Sequence, residues 1–133
     1  MENINNTLYY IVAGEASGDL HGFRLMQSFK KNMPKIVFKG VGGPKMKTAG
    51  LKSLIDFKRL AVMGFLEVIK DLFFFLQAKQ SIINDIKLNK PEKIILIDYP
   101  GFNLSLAESI KKNFNIPVFF YISPQVWAWK EKR

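Results

Sequence analysis

Two hydrophobic rhythms alternate along the chain. Continuous apolar, β-rich runs occur at Leu8 to Ala13, Ile36 to Val41, Lys93 to Ile97 and Pro117 to Ile122. Between them lie stretches in which apolar residues return every three or four positions, and these predict helices over Asp19 to Lys31, Gly64 to Leu88 and Asn103 to Asn113. Strands that are apolar on both sides and alternate with helices point to a parallel sheet covered on both faces. The fold class expected is therefore α/β, a Rossmann-like parallel sheet with helices on both faces. From Gly42 to Val62 the rhythm is weaker; Pro44 to Ala49 suits a short helix closed by Gly50, and Leu51 to Leu54 a minor strand.

The helix over Gly64 to Leu88 is unusual in how far round its apolar surface extends. At 100° per residue, Phe65, Val68, Ile69, Leu72, Phe75, Leu76, Ile83 and Ile86 form one face that a sheet would bury. Leu66 and Phe73 widen that arc to roughly 200°, and Phe74 lies nearly opposite its centre. One sheet face cannot cover so wide an arc, so part of the first half of this helix is expected to be exposed.

Composition narrows the chemistry. The 133 residues fit one domain, spanning 1–133. The chain has no cysteine and only one histidine, His21, so thiolate and imidazole metal sites are excluded. Met1 to Thr7 lacks the basic start and apolar core of a secretory signal, and no apolar run approaches the ~18 residues of a membrane span. A net charge of +9 favours an anionic partner such as phospholipid head groups or phosphorylated substrates. Nucleic acid is not expected, because the lysines are scattered and no recognition element is evident.

Ligands of such sheets bind beyond the carboxyl ends of the strands, and three unusual loops are expected there. Gly14-Glu15-Ala16-Ser17-Gly18-Asp19 follows the first strand; its glycines allow a tight turn, Ser17 or Asp19 can cap the next helix, and Glu15 suits sugar hydroxyls better than phosphate. It is neither a Walker A loop nor a Gly-x-Gly-x-x-Gly fingerprint. Asp98-Tyr99-Pro100-Gly101-Phe102-Asn103 follows the strand ending at Ile97 and puts a carboxylate at the strand's end, with Asn103 as the expected helix cap. Asp98 is the best candidate for a general base, although it could also tie neighbouring amides. In the third loop, Ser123, Gln125, Trp127 and Trp129 suit a sugar or acyl ligand, or equally an interdomain contact.

These segments, with Gly40-Val41-Gly42-Gly43-Pro44-Lys45-Met46 and Leu60-Ala61-Val62-Met63-Gly64, resemble the lipid-A-disaccharide synthase family from about Leu8 to Arg133. The resemblance implies the amino-terminal, acceptor-side domain of an inverting GT-B glycosyltransferase. A second, UDP-sugar-binding domain would lie outside this chain, and the ending at Trp129 to Arg133, a strand and loop with no helix after them, is expected to be a cut. The implied reaction joins UDP-2,3-diacylglucosamine to 2,3-diacylglucosamine 1-phosphate, making the β-1,6-linked disaccharide and releasing UDP without metal or cofactor. Asp98 would be the base; Glu15, Ser17, Asn103, Ser123, Gln125 and Trp127 would line the substrate cleft.

The same resemblance implies that Leu66, Val68, Ile69, Leu72, Phe75 and Leu76 contact an anionic membrane, with the protein peripheral on the cytoplasmic face of the inner membrane. It departs from the family at Gly101, where many members carry Asp. A chain lacking the groups that stabilise the UDP leaving group is expected to be inactive by itself. The competing expectation is a non-catalytic membrane- or lipid-binding module of the same fold.

Overall fold

A computed structural model of the chain describes residues 7–14, 16–55 and 68–121, and the side chains of all of these except 68–74 and 100. The elements are β1 (Leu8–Ala13), α1 (Ala16–Asn32), β2 (Val37–Val41), α2 (Pro44–Thr48), β3 (Lys52–Ser53), α3 (Val68–Asn89), β4 (Lys93–Ile97), α4 (Pro100–Asn113) and β5 (Val118–Tyr121). Glu15, Leu66, Ser123, Gln125 and Trp127 lie outside the described residues, and so does the expected helical stretch before Val68.

The strands form one sheet in the order β3-β2-β1-β4-β5, and every pairing is parallel. Period-two alternation in the central strands feeds two cores. On one face Tyr10, Val12, Ile94 and Leu96 pack with Ala78, Ile82 and Ile86 of α3 and Phe102, Leu106 and Ile110 of α4. On the other, Tyr9, Ile11, Ala13, Ile95 and Ile97 pack with Met26 of α1 and Met46 of α2. The apolar runs of β1 and β4 thus serve both faces, which is why they read as continuous. Helices cover both sides, as the strand-helix alternation implies.

Two helix starts differ from the sequence-based expectation. The first helix begins at Ala16, three residues before Asp19, so Asp19 sits inside α1 and does not cap it. Its carboxylate, almost fully buried, instead accepts from the N–H groups of Gly43 at 2.9 Å, Met46 at 3.0 Å and Lys45 at 3.0 Å. These are the orphan donors at the start of α2, a helix with no capping side chain of its own. Asp19 therefore seats α2 against α1, and Met46 fills the notch beside Gly22 and Gly42. The helix after β4 begins at Pro100, a residue pre-set for the first helical position, which leaves Asn103 within the first turn and not at the cap.

A polar chain fastens α3 to the sheet. The Tyr10 hydroxyl donates to Asp85 Oδ2 at 2.8 Å; Asn89 Nδ2 donates to Asp85 Oδ1 and to its carbonyl, each at 2.8 Å; Lys39 Nζ donates to Asn89 Oδ1 at 2.8 Å. Burial, reinforced by the hydrogen bond and the negative charge of Asp85, pushes the Tyr10 hydroxyl far above its ordinary 10.0.

Two outcomes follow for stability. Asp19→Ala strands three backbone donors and is expected to destabilise the chain by about 2–4 kcal/mol, read as a lower urea midpoint at an unchanged slope. Tyr10 stays protonated when folded but ionises when unfolded once the pH exceeds about 10, so its contribution is full below that pH and declines above it. The stability gap between the parent chain and Tyr10→Phe should therefore narrow from pH 9 upward through roughly pH 11.

Candidate functional site at the β1–β4 switch

The direction of strand addition reverses between β1 and β4: from β1 the chain moves to β2 on one side, and from β4 to β5 on the other. In sheets of this type the loops leaving the two strands at such a reversal separate, and ligands bind in the crevice between them at the carboxyl ends. The β1 side brings Gly14 and the first turn of α1, in which Ser17 is exposed. The β4 side brings Asp98 and Tyr99.

Asp98 is part-exposed at the strand's end, although its Oδ2 is buried, and its backbone is held. Its N–H donates to the Tyr121 carbonyl at 2.9 Å, which extends the β4–β5 pairing into the loop. Asp98 and Tyr99 both adopt left-handed backbone, with φ of 45° and 48°. For residues other than glycine that conformation costs of order 1–3 kcal/mol each, and such strain concentrates at working sites.

Asn103 is fully buried beneath this turn. Its Nδ2 donates to the carbonyls of Asp98 at 2.8 Å and Ile97 at 3.2 Å, and its Oδ1 is buried with no hydrogen-bond partner among the described residues. Both donors of its amide are thus engaged by the backbone that carries Asp98, and its reach toward a ligand runs through that backbone.

The Tyr99 ring lies against Gly14. A Cβ at residue 14 would stand 2.5 Å from Tyr99 Cδ2 and 2.6 Å from Cε2, so only glycine admits the ring there. The residue that approaches this glycine is an aromatic side chain of the opposite loop. Behind it, Tyr99 packs with Phe75 at 6.3 Å and Phe102 at 5.9 Å between ring centroids.

These ring contacts divide two positions expected together on a membrane surface. Phe75 is half-buried against the core formed with α4, whereas the next residue, Leu76, is 49% exposed. Val68, Ile69 and Leu72 lie on the described backbone of α3. Gly101 is exposed with open space around its Cβ position, so an Asp there would meet no obstacle. No helix among the described residues is long and apolar enough to cross a membrane. Among the same residues no cluster of His, Cys, Asp and Glu is suited to hold a metal.

Sequence reasoning missed Tyr99, whose neighbours are set by the switch and not by local spacing. It also missed the pairing of His21 with Tyr121, whose rings stand 5.4 Å apart on the α1 side of the strand ends. An apolar cavity of about 340 Å³ lies nearby between α1 and the β4–β5 pair, lined by Leu25, Phe29, Ile95 and Phe119 among others. None of the crevice residues Gly14, Ser17 or Asp98 lines it.

A family model described as lipid-A-disaccharide synthetase matches residues 9–133. The chain belongs to this family. Among its curated relatives, the lipid-A-disaccharide synthase of Syntrophus aciditrophicus is 51% identical over 130 residues, 98% of this chain and 34% of the relative. That of Nitrosococcus oceani is 46% identical over 133 residues, 100% of this chain and 34% of the relative. Lipid-A-disaccharide synthase 1 of Legionella pneumophila is 43% identical over 129 residues, 97% of this chain and 34% of the relative. The chain spans about a third of the length of these curated relatives.

Proposed function

We propose that this chain is the amino-terminal, acceptor-side domain of a full-length lipid-A-disaccharide synthase, and that Asp98 is its general base. The observation that carries this reading is Asp98, a part-exposed acidic residue at the carboxyl end of β4, beside the β1–β4 switch, in a chain of this family. In the reaction, the 6-hydroxyl of 2,3-diacylglucosamine 1-phosphate attacks the anomeric carbon of UDP-2,3-diacylglucosamine. Asp98 takes the hydroxyl proton as the new β-1,6 bond forms and the bond to UDP breaks on the opposite face, inverting the anomeric centre. A positioned base supplies about 10²–10⁴ in rate, or roughly 3–5 kcal/mol of barrier. The remainder must come from groups that stabilise the departing UDP, and these we assign to the part of the synthase outside this chain.

Ser17, exposed at the first turn of α1, and Glu15 just before it are the acceptor contacts from the β1 side. Ser123, Gln125 and Trp127 follow β5, whose last residue already bonds the Asp98 N–H, and we assign them to the same cleft. An acylated acceptor resides in a bilayer, and we place the first half of α3 on it, peripheral to the cytoplasmic face of the inner membrane. Leu76 supports this, as does a net charge of +9 that suits anionic lipid at roughly 1 kcal/mol per basic residue near the surface.

In the full-length synthase, Asp98→Asn is expected to lower disaccharide formation at least ~10²-fold with the melting temperature retained, while the 133-residue chain alone shows no turnover. Near-normal turnover by a folded Asp98→Asn enzyme would remove Asp98 from the role. Leu76→Ser is expected to weaken sedimentation with anionic vesicles severalfold without loss of stability, whereas Phe75→Ser should lower stability first, because its ring is part of the core. Unchanged vesicle binding by Leu76→Ser would take α3 off the membrane.

A further inference from the structure

The turn that carries Asp98 is held by more contacts than a strand-to-helix connection requires. Two successive left-handed residues other than glycine persist only where their surroundings over-determine them. From below, the Asn103 amide bridges the carbonyls of Ile97 and Asp98. From the β5 side, the Tyr121 carbonyl takes the Asp98 N–H. Across the crevice, the Tyr99 ring is wedged between Gly14 in front and Phe75 and Phe102 behind.

We infer that Gly14, Tyr99 and Asn103 are positioning residues that set the Asp98 carboxylate relative to the β1 loop: the ring on Gly14 fixes the spacing of the two loops, and the amide clamp fixes the left-handed turn. This rests on the reading of Asp98 as base and adds how its place is determined. In an α/β sheet the two loops at the switch point have no hydrogen-bonded ladder to space them, since their strands have already ended. A side chain packed on bare backbone supplies the missing spacer. The left-handed turn then redirects the Asp98 Cα–Cβ bond from the alternation of β4, in which the preceding residue, Ile97, is fully buried on the α1 face. An acceptor hydroxyl contacted from both loops meets the carboxylate at one distance only if that spacer holds, and a displacement of about 1 Å can cost on the order of 10² in rate.

The test compares Gly14→Ala, Asn103→Ala and Tyr99→Gly with Asp98→Asn in the full-length synthase, and reads the carbon chemical shifts of residue 98 in the same protein. Each of the three positioning variants is expected to lower kcat at least ~10-fold while the KM for the acceptor changes less than ~3-fold. In Asn103→Ala, which removes the amide clamp, the Cα and Cβ shifts at Asp98 should leave the values of left-handed backbone. Tyr99→Gly is the variant that decides if Gly14→Ala does not fold, because glycine adopts positive φ freely while removing the ring. Parental kcat in folded Tyr99→Gly or Asn103→Ala overturns the inference, as does a loss confined to KM or, in Asn103→Ala, a fall in kcat with the shifts unmoved. Asp98→Asn separates the two readings: parental turnover there removes the base, while the shifts still decide whether Asn103 fixes the turn.

Discussion

The contact on which the crevice depends is a tyrosine ring lying on a glycine. In a sheet ordered β3-β2-β1-β4-β5, β1 and β4 are hydrogen-bonded neighbours whose chains leave in opposite directions. Beyond the last paired residues, Ala13 and Ile97, nothing in the ladder holds the two departing loops at a defined separation. The Tyr99 ring does so by occupying the space that any side chain at residue 14 would need. The strained turn at Asp98 and Tyr99, the buried amide of Asn103 below it and the aromatic group with Phe75 and Phe102 behind it are arranged around that one contact.

A second constraint operates at the neighbouring strand end. There the turn of α2 would begin with unsatisfied N–H groups at the edge of the core, and Asp19 reaches across from α1 to accept three of them. A buried carboxylate so occupied belongs to the framework and not to the reaction. Asp19 and Asp98 are thus distinguished by their surroundings: Asp19 is enclosed by backbone donors, and Asp98 is part-exposed at the end of β4. The proposed role of general base falls to Asp98.

Much of the framework was legible in the sequence because it depends on local periodicity. β1 and β4 read as unbroken apolar runs because alternate residues serve two cores, and α1, α3 and α4 read as helices from their three-to-four spacing. The loop motif around Asp98 was legible as well, since a carboxylate directly after an apolar strand is conspicuous. What escaped depends on partners distant in sequence. Asp19 meets residues more than twenty positions away, so a helix cap was the natural local expectation, and Tyr99 meets Gly14 across the whole first half of the fold. A helical wheel likewise gives the angle of Phe75 and Leu76 but not the aromatic group of α4 that draws one inward and leaves the other out. The start of α4 was readable, because proline favours the first helical position, but Asn103 offered a competing capping signal.

Family membership and the crevice geometry support one account: an acceptor sugar enters at the β1–β4 switch, and a carboxylate held by the switch itself removes its proton. The most direct test is a crystal structure of the full-length synthase with the acylated glucosamine 1-phosphate acceptor bound. The account predicts an Asp98 carboxylate oxygen about 2.6–3.2 Å from the acceptor's 6-hydroxyl, with Tyr99 still seated on Gly14. An acceptor bound away from this crevice, with its hydroxyl beyond reach of Asp98, would contradict it.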